Sequence, residues 1–243
     1  SGRDAVIDKL CSTARALIRK HGEVDRLAGI GVGVPGIIYL DTGRLRKSPN
    51  LPGWEDYPVR DEIERRLETE VILDNDANVA ALGEHWLGAG RNLPPQADSL
   101  CLVTLGTGVG GGLILDGKIW HGFLGMAAEL GHINVLENGA PCGCGSRGCL
   151  ETEASATAVV RVAMDAIGAN PIGALARAVQ GGEPLTAELV FRCAHPERGP
   201  GDAAAQAIFA RLGNYLGLAL AGLVNALNLP LYVIGGGVAA AWP

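Results

Sequence analysis

The chain has 243 residues, of which 48% are apolar and 19% are charged, and its formal net charge at pH 7 is −6. A chain of this length and apolar content can bury one or two substantial hydrophobic cores. The acidic balance argues against a nucleic-acid-binding surface that runs along the whole chain.

Residues 1–95 predict an N-terminal α/β lobe. Apolar residues recur at helical spacing near its start, which indicates an amphipathic helix. They form two sets: Val6, Leu10 and Leu17, and Ile7, Cys11, Ala14 and Ile18. The pattern then predicts a strand at 28–34, a helix at 58–68, a strand at 71–73 and a helix at 77–86. The segment Asn92-Leu93-Pro94-Pro95 is typical of a hinge or linker. Residues 96–243 predict a second α/β lobe.

Three polar residues, Asp74, Asn75 and Asp76, lie where the predicted strand 71–73 meets the predicted helix 77–86. Open α/β sheets bind their ligands at the C-terminal ends of the strands. One such side chain is enough to cap the helix. A run of three therefore leaves at least one side chain available for chemistry.

A glycine-rich segment follows the next predicted strand, at 100–105. It reads Gly106-Thr107-Gly108-Val109-Gly110-Gly111-Gly112, and a further strand then reaches an Asp116-Gly117 hairpin turn. Glycines between strands expose backbone amides that bind phosphate, and the threonine adds a hydroxyl. The segment lacks the Gly-Lys-Ser/Thr of a Walker loop, and no helix follows it as in a dinucleotide-binding fingerprint. A phosphate-binding turn and a plain tight β-turn are both compatible with this pattern.

Four potential metal ligands lie close together in the sequence: His132, Cys142, Cys144 and Cys149. Three thiolates and one imidazole form the closed tetrahedral set of a structural zinc site. The glycines between the cysteines tolerate positive φ, so a short loop can fold around one ion. The alternatives are disulfides or inert buried thiols. Three clustered cysteines cannot all pair among themselves, so the pattern favours zinc.

Two glutamates flank the metal ligands. Glu129 precedes His132 by three residues, one helical turn if residues 127–130 are helical. Glu151 follows Cys149 by two residues, so a metal bound to that cysteine would fix the direction of Glu151. Carboxylates accept hydrogen bonds from sugar hydroxyls, which predicts a pocket for a polyhydroxyl ligand. The plain alternative is a pair of surface glutamates.

The C-terminal segment 212–243 carries no formal charge. A membrane-spanning helix needs about 20 mainly apolar residues. Asn214, Asn225, Asn228 and Pro230 interrupt this run. The pattern therefore favours a buried helix at 203–227 and a central strand at 231–234.

Together these segments resemble the ROK family of sugar kinases and sugar-responsive repressors, within the actin-like, hexokinase-like ATPase superfamily. The resemblance rests on LDNDAN (73–78), LGTGVGGG (105–112), AAELGH (127–132), CGCGSRGCLE (142–151) and VIGGGV (233–238). It implies a two-lobed α/β fold with an interlobe cleft. It also implies ATP-dependent phosphorylation of a hexose, with Mg²⁺ and a structural zinc ion.

The resemblance also assigns roles to individual residues. The catalytic base maps onto Asp76. The sugar-binding residues map onto Asn75, Glu129, His132 and Glu151, with Gly36 and Asn50 as further contacts. The ATP-binding residues map onto Gly106, Thr107, Gly108, Gly110, Gly235 and Gly236. In this assignment His132 binds zinc through one ring nitrogen and faces the sugar with the other.

Substrate and partners follow from the same resemblance. Related N-acetylmannosamine kinases usually carry arginine after the matching glycine, where this chain has Ile37. The difference favours glucose, with N-acetylmannosamine as the alternative. A homodimer or homotetramer in the cytoplasm is expected, with no membrane partner, and no nucleic-acid partner unless a helix-turn-helix precedes the chain.

One family element is not found in the sequence. Family kinases open with a strand and an Asp-x-Gly-Gly-Thr loop that contacts phosphate and magnesium. We therefore expect an internal fragment of a longer protein, with the fold incomplete at both ends. A ROK-type repressor with an N-terminal helix-turn-helix and a sugar-binding module without ATP use are the alternatives. Asp76 and the Gly-Thr-Gly turn favour the kinase.

Overall fold

The computed structural model describes residues 2–21, 29–48, 51–196 and 200–241. Within these ranges the chain alternates helices and strands. The α-helices are α1 (Arg3–His21), α2 (Val59–Leu67), α3 (Asp76–Trp86), α4 (Leu150–Ala154), α5 (Ala156–Ala169), α6 (Ala174–Gln180), α7 (Ala187–Ala194) and α8 (Ala203–Leu227). The strands are β1 (Ile30–Val34), β2 (Ile37–Tyr39), β3 (Arg44–Lys47), β4 (Val71–Asn75), β5 (Leu100–Leu105), β6 (Val109–Leu115), β7 (Lys118–Ile119) and β8 (Tyr232–Gly235).

The first half is built on a parallel pair of strands, β1 and β4, in which Val34 lies opposite Asn75. The antiparallel hairpin β2–β3 follows β1. Helices α1 and α2 pack on each other, and α2 packs against β4. The core of this half contains Ile7, Cys11 and Ile63, each less than 3% exposed. The predicted amphipathic helix is confirmed, with Ile7 and Cys11 facing the core, whereas Val6 and Leu17 are exposed.

The predicted elements of this half are confirmed, with shifted ends. The strand predicted at 28–34 begins at residue 30, and residue 28 lies outside the described residues. The strand predicted at 71–73 continues to residue 75, and the helix predicted from 77 begins at residue 76. The segment 92–95, predicted as a hinge, contributes to two short 3₁₀ helices, Ala89–Asn92 and Pro95–Ala97.

The second half is built on a four-stranded sheet of order β7-β6-β5-β8. Strand β5 is antiparallel to β6 and parallel to β8. Asp116 and Gly117 join β6 to β7 with φ of 50° and 73°. Two successive positive φ values are typical of a type I′ hairpin turn, so the predicted hairpin is confirmed.

Helix α8 covers the residues predicted for a buried helix, 203–227. One of its faces lies in the core of the second half and contacts α4, α5 and α7; it consists of Ala205, Ile208, Leu212, Leu216 and Ala219. Strand β8 follows at residue 232, one residue after the predicted start. The prediction of a central strand is wrong for the described sheet, because β8 lies at its edge and pairs with β5 alone. By length and composition alone α8 also qualifies as a membrane span. It packs on the core through one face, but only 28% of its most apolar window is buried, so the prediction of a buried helix holds for that face alone.

Helix α3 connects the two halves. It begins at the end of β4 and packs against β5 and β6. A Cβ atom added to Gly112 would lie 2.5 Å from the Cβ of Ala81, and one added to Gly110 would lie 3.2 Å from the Cβ of Ala77. The glycines of β6 therefore let the helix approach the sheet closely. This contact places the N-terminal end of α3 beside the second sheet.

Candidate functional site

The polar residues at the end of β4 have separate roles. Asn75 is the N-cap of α3, because its Oδ1 accepts hydrogen bonds from the backbone N–H groups of Ala77 (2.9 Å) and Asn78 (3.3 Å). Its Nδ2 donates to the carbonyl oxygen of Gly36 at 3.1 Å. Asp76 is exposed and makes a local contact to the N–H of Ala77 at 3.0 Å. Since Asn75 caps the helix, the carboxylate of Asp76 is available for chemistry.

Gly36 is required by the geometry of its own loop. Its φ is +120°, and a Cβ atom there would lie 2.4 Å from the carbonyl oxygen of Lys47. Glycine is the residue that tolerates this conformation. The carbonyl of Gly36 therefore stays fixed against the amide of Asn75. Asn50, the other predicted sugar contact in this half, lies outside the described residues.

A cleft lies beside Asp76, and its empty space of about 380 Å³ includes the open solvent at its mouth. Its lining comes from segments far apart in the sequence: Gly36, Asn75, Asp76, Ala77, Asn78, Gly110, Gly111, Gly125, Ala127, Ala128 and Glu129. The structure thus brings together five of the predicted site residues: Gly36, Asn75, Asp76, Gly110 and Glu129.

Glu129 reaches the cleft from an irregular loop. Residues 127–130 do not form the helical turn suggested by the sequence, because Ala128 has a φ of +63°. Glu129 instead precedes the 3₁₀ helix Leu130–His132, and the N–H of His132 donates to the carbonyl oxygen of Glu129 at 3.0 Å. This tight turn still points Glu129 and His132 towards one region.

The charges around Glu129 act on its carboxyl group. Burial raises the pKa of Glu129, and the nearby ring of His132 lowers it. The carboxylates of Glu151 and Asp76 raise the pKa further, so that it lies above its ordinary value. Three acidic groups therefore share one site, where they can accept hydrogen bonds from several hydroxyls of one ligand.

The four predicted metal ligands lie together. One ligand atom from each of His132, Cys142, Cys144 and Cys149 lies within 4.8 Å of the others. The Sγ of Cys142 is 3.5 Å from Nδ1 of His132, and the Sγ of Cys144 is 3.7 Å from that of Cys149. A tetrahedral zinc ion with Zn–S bonds of about 2.3 Å separates its sulfur ligands by about 3.8 Å. The donor set and its spacing fit zinc.

The thiols of this cluster have pKa values shifted in opposite directions. Burial raises the pKa of Cys149 to about 12, together with its hydrogen bonds to Cys142 and Cys144. The backbone N–H of Ser146 is the main group that lowers the pKa of Cys144. A buried thiol beside two others becomes a thiolate when a metal ion supplies positive charge. The other nitrogen of His132, Nε2, lies 3.8 Å from Oε2 of Glu129, so the ring joins the cysteine cluster to the acidic site.

Glu151 is positioned by the end of the cysteine loop. Leu150 is fully buried, and its N–H donates to the carbonyl oxygen of Ile133 at 2.8 Å. Glu151 follows in the first turn of α4, and its Oε2 accepts a hydrogen bond from the N–H of Val109 at 3.1 Å. The predicted link between the cysteines and the direction of Glu151 therefore has a structural path.

The segment Gly106-Thr107-Gly108 forms the turn between β5 and β6. The carbonyl of Gly106 accepts a hydrogen bond from the N–H of Ala156 (2.8 Å), and that of Thr107 accepts one from the hydroxyl of Thr157 (2.7 Å). The turn therefore lies at the N-terminus of the 14-residue helix α5. The partial positive charge at a helix N-terminus favours a bound anion such as phosphate.

Gly235 and Gly236 lie beside this turn. Gly235 pairs with Thr104 in the parallel ladder between β5 and β8. Gly236 has a φ of +92°, and a Cβ atom there would lie 2.3 Å from the carbonyl oxygen of Leu105. The two predicted nucleotide-binding segments therefore lie together where the parallel strands β5 and β8 end. Gly110, predicted with them, lies within β6 and lines the cleft instead.

The sequence analysis did not single out Asn78 and Ala128, which also line the cleft. Asn78 is 3% exposed and its Nδ2 donates to Oδ1 of Asp74 at 3.0 Å. Asp74 lies in β4 and Asn78 in the first turn of α3, so no regular spacing in the sequence indicated this contact. The left-handed backbone of Ala128 left no signal, because alanine is common in helices.

Comparison with known proteins agrees with this geometry. The profile of the ROK family matches residues 2–242. A glucokinase from Halalkalibacterium halodurans is 47% identical over 222 residues, which cover 91% of this chain and 64% of that protein. A xylose repressor from Caldicellulosiruptor bescii is 31% identical over 211 residues, which cover 86% of this chain and 50% of that protein.

The fold has a solved counterpart of the same kind. A ROK family glucokinase from Streptomyces griseus, in complex with glucose and AMPPNP, aligns with a TM-score of 0.80 and 33% identity, over 99% of this chain and 74% of that one. The actin-like α/β fold predicted from the sequence is confirmed. Because one family profile spans nearly all of the described structure, including the cleft and the cysteine loop, this chain belongs to the ROK family.

Proposed function

We propose that this protein transfers the γ-phosphoryl group of ATP to the primary hydroxyl of glucose. This proposal rests on the exposed carboxylate of Asp76 at the cleft, which is available because Asn75 caps α3. In phosphoryl transfer the protein mainly positions the substrates and stabilises charge. Asp76 accepts the proton of the attacking hydroxyl as the new P–O bond forms.

Binding of the sugar is assigned to the acidic side of the cleft. Glu129 and Glu151 accept hydrogen bonds from ring hydroxyls, and Nε2 of His132 faces the same side. Asn75 uses its Oδ1 for the cap and one Nδ2 hydrogen for Gly36, which leaves its second Nδ2 hydrogen for the sugar. These contacts hold the reacting oxygen close to the phosphate.

Binding of ATP is assigned to the turn Gly106-Thr107-Gly108 and to Gly235 and Gly236. This assignment is supported by the position of the turn at the N-terminus of α5 and by the position of the two glycines at the end of β8, next to the end of β5. The Streptomyces griseus glucokinase was solved with AMPPNP, a nucleotide analogue, in addition to glucose. When bound, Mg²⁺ neutralises charge on the transferred phosphoryl group.

Zinc is assigned to His132, Cys142, Cys144 and Cys149 as a structural ion. Four protein ligands leave no open position for substrate or water, so the ion orders the loop that carries Glu151. Purified, reduced protein is expected to carry about one zinc ion per chain. Replacing Cys144 by serine is expected to lower both zinc content and glucose affinity. Cys193→Ser is the control, since Cys193 is a free thiol outside this cluster.

The test of the main proposal is Asp76→Asn in the full-length protein. Removal of a general base is expected to lower kcat by about 10²-fold or more. Glucose binding, measured by calorimetry, is expected to persist, because an amide still hydrogen-bonds a hydroxyl. Asp165→Asn, an exposed change on α5, is the matched control. Turnover of Asp76→Asn close to that of the wild type would refute the assignment.

The choice of sugar is tested by steady-state kinetics with ATP. Ile37 is half-buried next to Gly36 and offers no side-chain hydrogen-bond donor to an N-acetyl group. Glucose is therefore expected to have a higher kcat/KM than N-acetylmannosamine. A higher value for the N-acetylated sugar would reject glucose and leave phosphoryl transfer intact.

A sugar-responsive repressor is the second candidate function. It is favoured by the likeness to the Caldicellulosiruptor bescii xylose repressor. The exposed Asp76 and the Gly-Thr-Gly turn favour the kinase, because sugar sensing alone needs neither. Sugar-dependent binding of the full-length protein to DNA, without phosphorylation of any hexose, would identify the repressor.

We further propose that the protein is cytoplasmic and that it forms a dimer or tetramer. Light scattering of the full-length protein tests the number of subunits.

A further inference from the structure

A polar contact outside the cleft joins the two segments that carry Asp76 and Glu129. Oδ2 of Asp74 lies 2.7 Å from Nε2 of His121, although 47 positions separate these residues in the sequence. Asp74 is only 9% exposed. Neither side chain is among the residues that line the cleft.

The carboxylate of Asp74 has a fixed orientation. Its Oδ1 accepts hydrogen bonds from the backbone N–H of Asn75 at 2.7 Å and from Nδ2 of Asn78 at 3.0 Å. Both donors belong to the junction of β4 and α3, which also carries Asp76. Because a buried carboxylate needs several partners, Oδ2 is directed at His121 by the contacts that Oδ1 already makes.

His121, at the other end of the contact, is the first residue of a closed loop. The N–H of Ala127 donates to the carbonyl oxygen of His121 at 3.1 Å, so residues 121–127 return to their starting point. Gly122 and Gly125 make the turns, with φ of 68° and 74°. Glu129 follows two residues after Ala127. A displacement of His121 is therefore passed to Glu129 through a short, constrained segment.

The outer part of this loop has little packing to hold it. Phe123 is 99% exposed and Leu124 is 61% exposed. On the inner side, Gly125 faces the carbonyl oxygen of Ile38. Since apolar burial contributes little at the tip, a directed polar contact at the base of the loop has a large share in fixing its position.

We propose that His121 and Asp74 are positioning residues that hold Glu129 opposite Asp76 at the separation that binds a hexose. This inference rests on the proposed sugar-kinase function. The two side chains act through Asn75 and the 121–127 loop and do not touch the substrate. Loss of the contact therefore weakens sugar binding more than the chemical step.

The test compares His121→Ala, His121→Gln and the wild type in the full-length protein. Glutamine places an N–H donor where Nε2 of histidine lies, so it keeps the bond to Asp74. His121→Ala is expected to raise the KM for glucose about tenfold, with kcat changed less than about threefold and the KM for ATP unchanged. His121→Gln is expected to restore most of the lost affinity.

His85→Ala is the matched control, because His85 forms a second histidine–aspartate pair, with Asp98, away from the cleft residues. It is expected to lower thermal stability and to leave the KM for glucose unchanged. The inference is overturned if His121→Ala leaves the KM for glucose within twofold of the wild-type value. It is also overturned if His121→Gln is as weak as His121→Ala, or if His85→Ala raises the KM equally.

Hydrogen exchange separates this inference from the proposed function. The amide of Ala127 donates to the backbone carbonyl of residue 121 and is expected to lose protection from exchange in His121→Ala and to keep it in His121→Gln. If the wild type phosphorylates no hexose but this exchange pattern is seen, the proposed function fails and the link between the segments stands. Unchanged protection of Ala127 in His121→Ala refutes the link itself.

Discussion

Asp202 is expected to make a larger contribution to stability than an ordinary helix cap. Its Oδ1 accepts hydrogen bonds from the N–H groups of Ala204 (2.9 Å) and Ala205 (3.1 Å), at the start of the 25-residue helix α8. Its Oδ2 accepts the N–H of Leu175, at the start of α6, at 3.1 Å. One carboxylate therefore binds the N-terminal N–H groups of two helices.

The magnitude follows from these three bonds. Loss of an N-cap costs about 0.5–2 kcal/mol. The uncapped N–H of Leu175 adds about 1 kcal/mol. Asp202→Ala is therefore expected to lower the free energy of unfolding by about 1.5–3 kcal/mol. Thr186→Ala, which removes the single bond from the N–H of Leu189 to a helix cap, is the control and is expected to cost about 1 kcal/mol.

The pH dependence has a defined sign. Burial on its own raises the pKa of Asp202, but the N–H groups of Ala205, Leu175, Ala204 and Ala174 outweigh it, and the pKa lies below the ordinary value of 3.8. A carboxylate with a lowered pKa stabilises the fold above its unfolded pKa and loses that contribution as the pH falls through the folded pKa. The difference between wild type and Asp202→Ala is therefore full at pH 7 and shrinks below about pH 4.

Urea unfolding at pH 7 and at several acidic pH values measures both quantities. The reasoning is refuted if Asp202→Ala costs no more than Thr186→Ala. It is also refuted if the loss caused by Asp202→Ala stays constant from pH 7 to pH 3. Asp202→Asn is expected to be intermediate, because the amide keeps one acceptor oxygen and loses the negative charge at the helix N-terminus.

Two further substitutions test backbone geometry around the site. Ala128→Gly relieves a φ of +63° and is expected to raise the free energy of unfolding by zero to about 1 kcal/mol. Ala81→Gly within α3 is the control and is expected to lower it by about 1 kcal/mol or more. A loss of stability at 128 equal to that at 81 contradicts the left-handed conformation of Ala128. Gly236→Ala is expected to cost about 2 kcal/mol or more and to raise the KM for ATP, because its Cβ meets the carbonyl of Leu105. Gly237→Ala, with open space around it, is expected to be neutral in both assays.

The elements and several contacts were predictable because their causes are local in the sequence. The Asp116-Gly117 turn has its own composition signal, and α8 has a long apolar pattern. The surplus of polar residues at 74–76 correctly indicated that capping does not occupy all three. The clustering of His132 with the cysteines was also predictable, because metal ligands follow recognisable spacings.

The remaining parts depend on contacts between distant segments. Asp74 and His121 meet across 47 positions, and neither has a spacing that indicates the other. The backbone of Ala128 is left-handed, although alanine favours helices. Gly110 belongs to a glycine run that looks like one loop, but the run divides into a turn and a strand that packs under α3.

The position of Glu151 connects the separate parts of the site. Its carboxylate accepts the N–H of Val109, the first residue of β6, directly after the Gly-Thr-Gly turn. A Cβ atom added to Gly108 would lie 2.2 Å from Oε2 of Glu151, so the absence of a side chain there lets the carboxylate reach the turn. The cysteine loop holds the helix that carries Glu151, and the same carboxylate raises the pKa of Glu129. A metal ion that orders this loop therefore affects the proposed sugar-binding residues and the proposed phosphate-binding turn through one side chain.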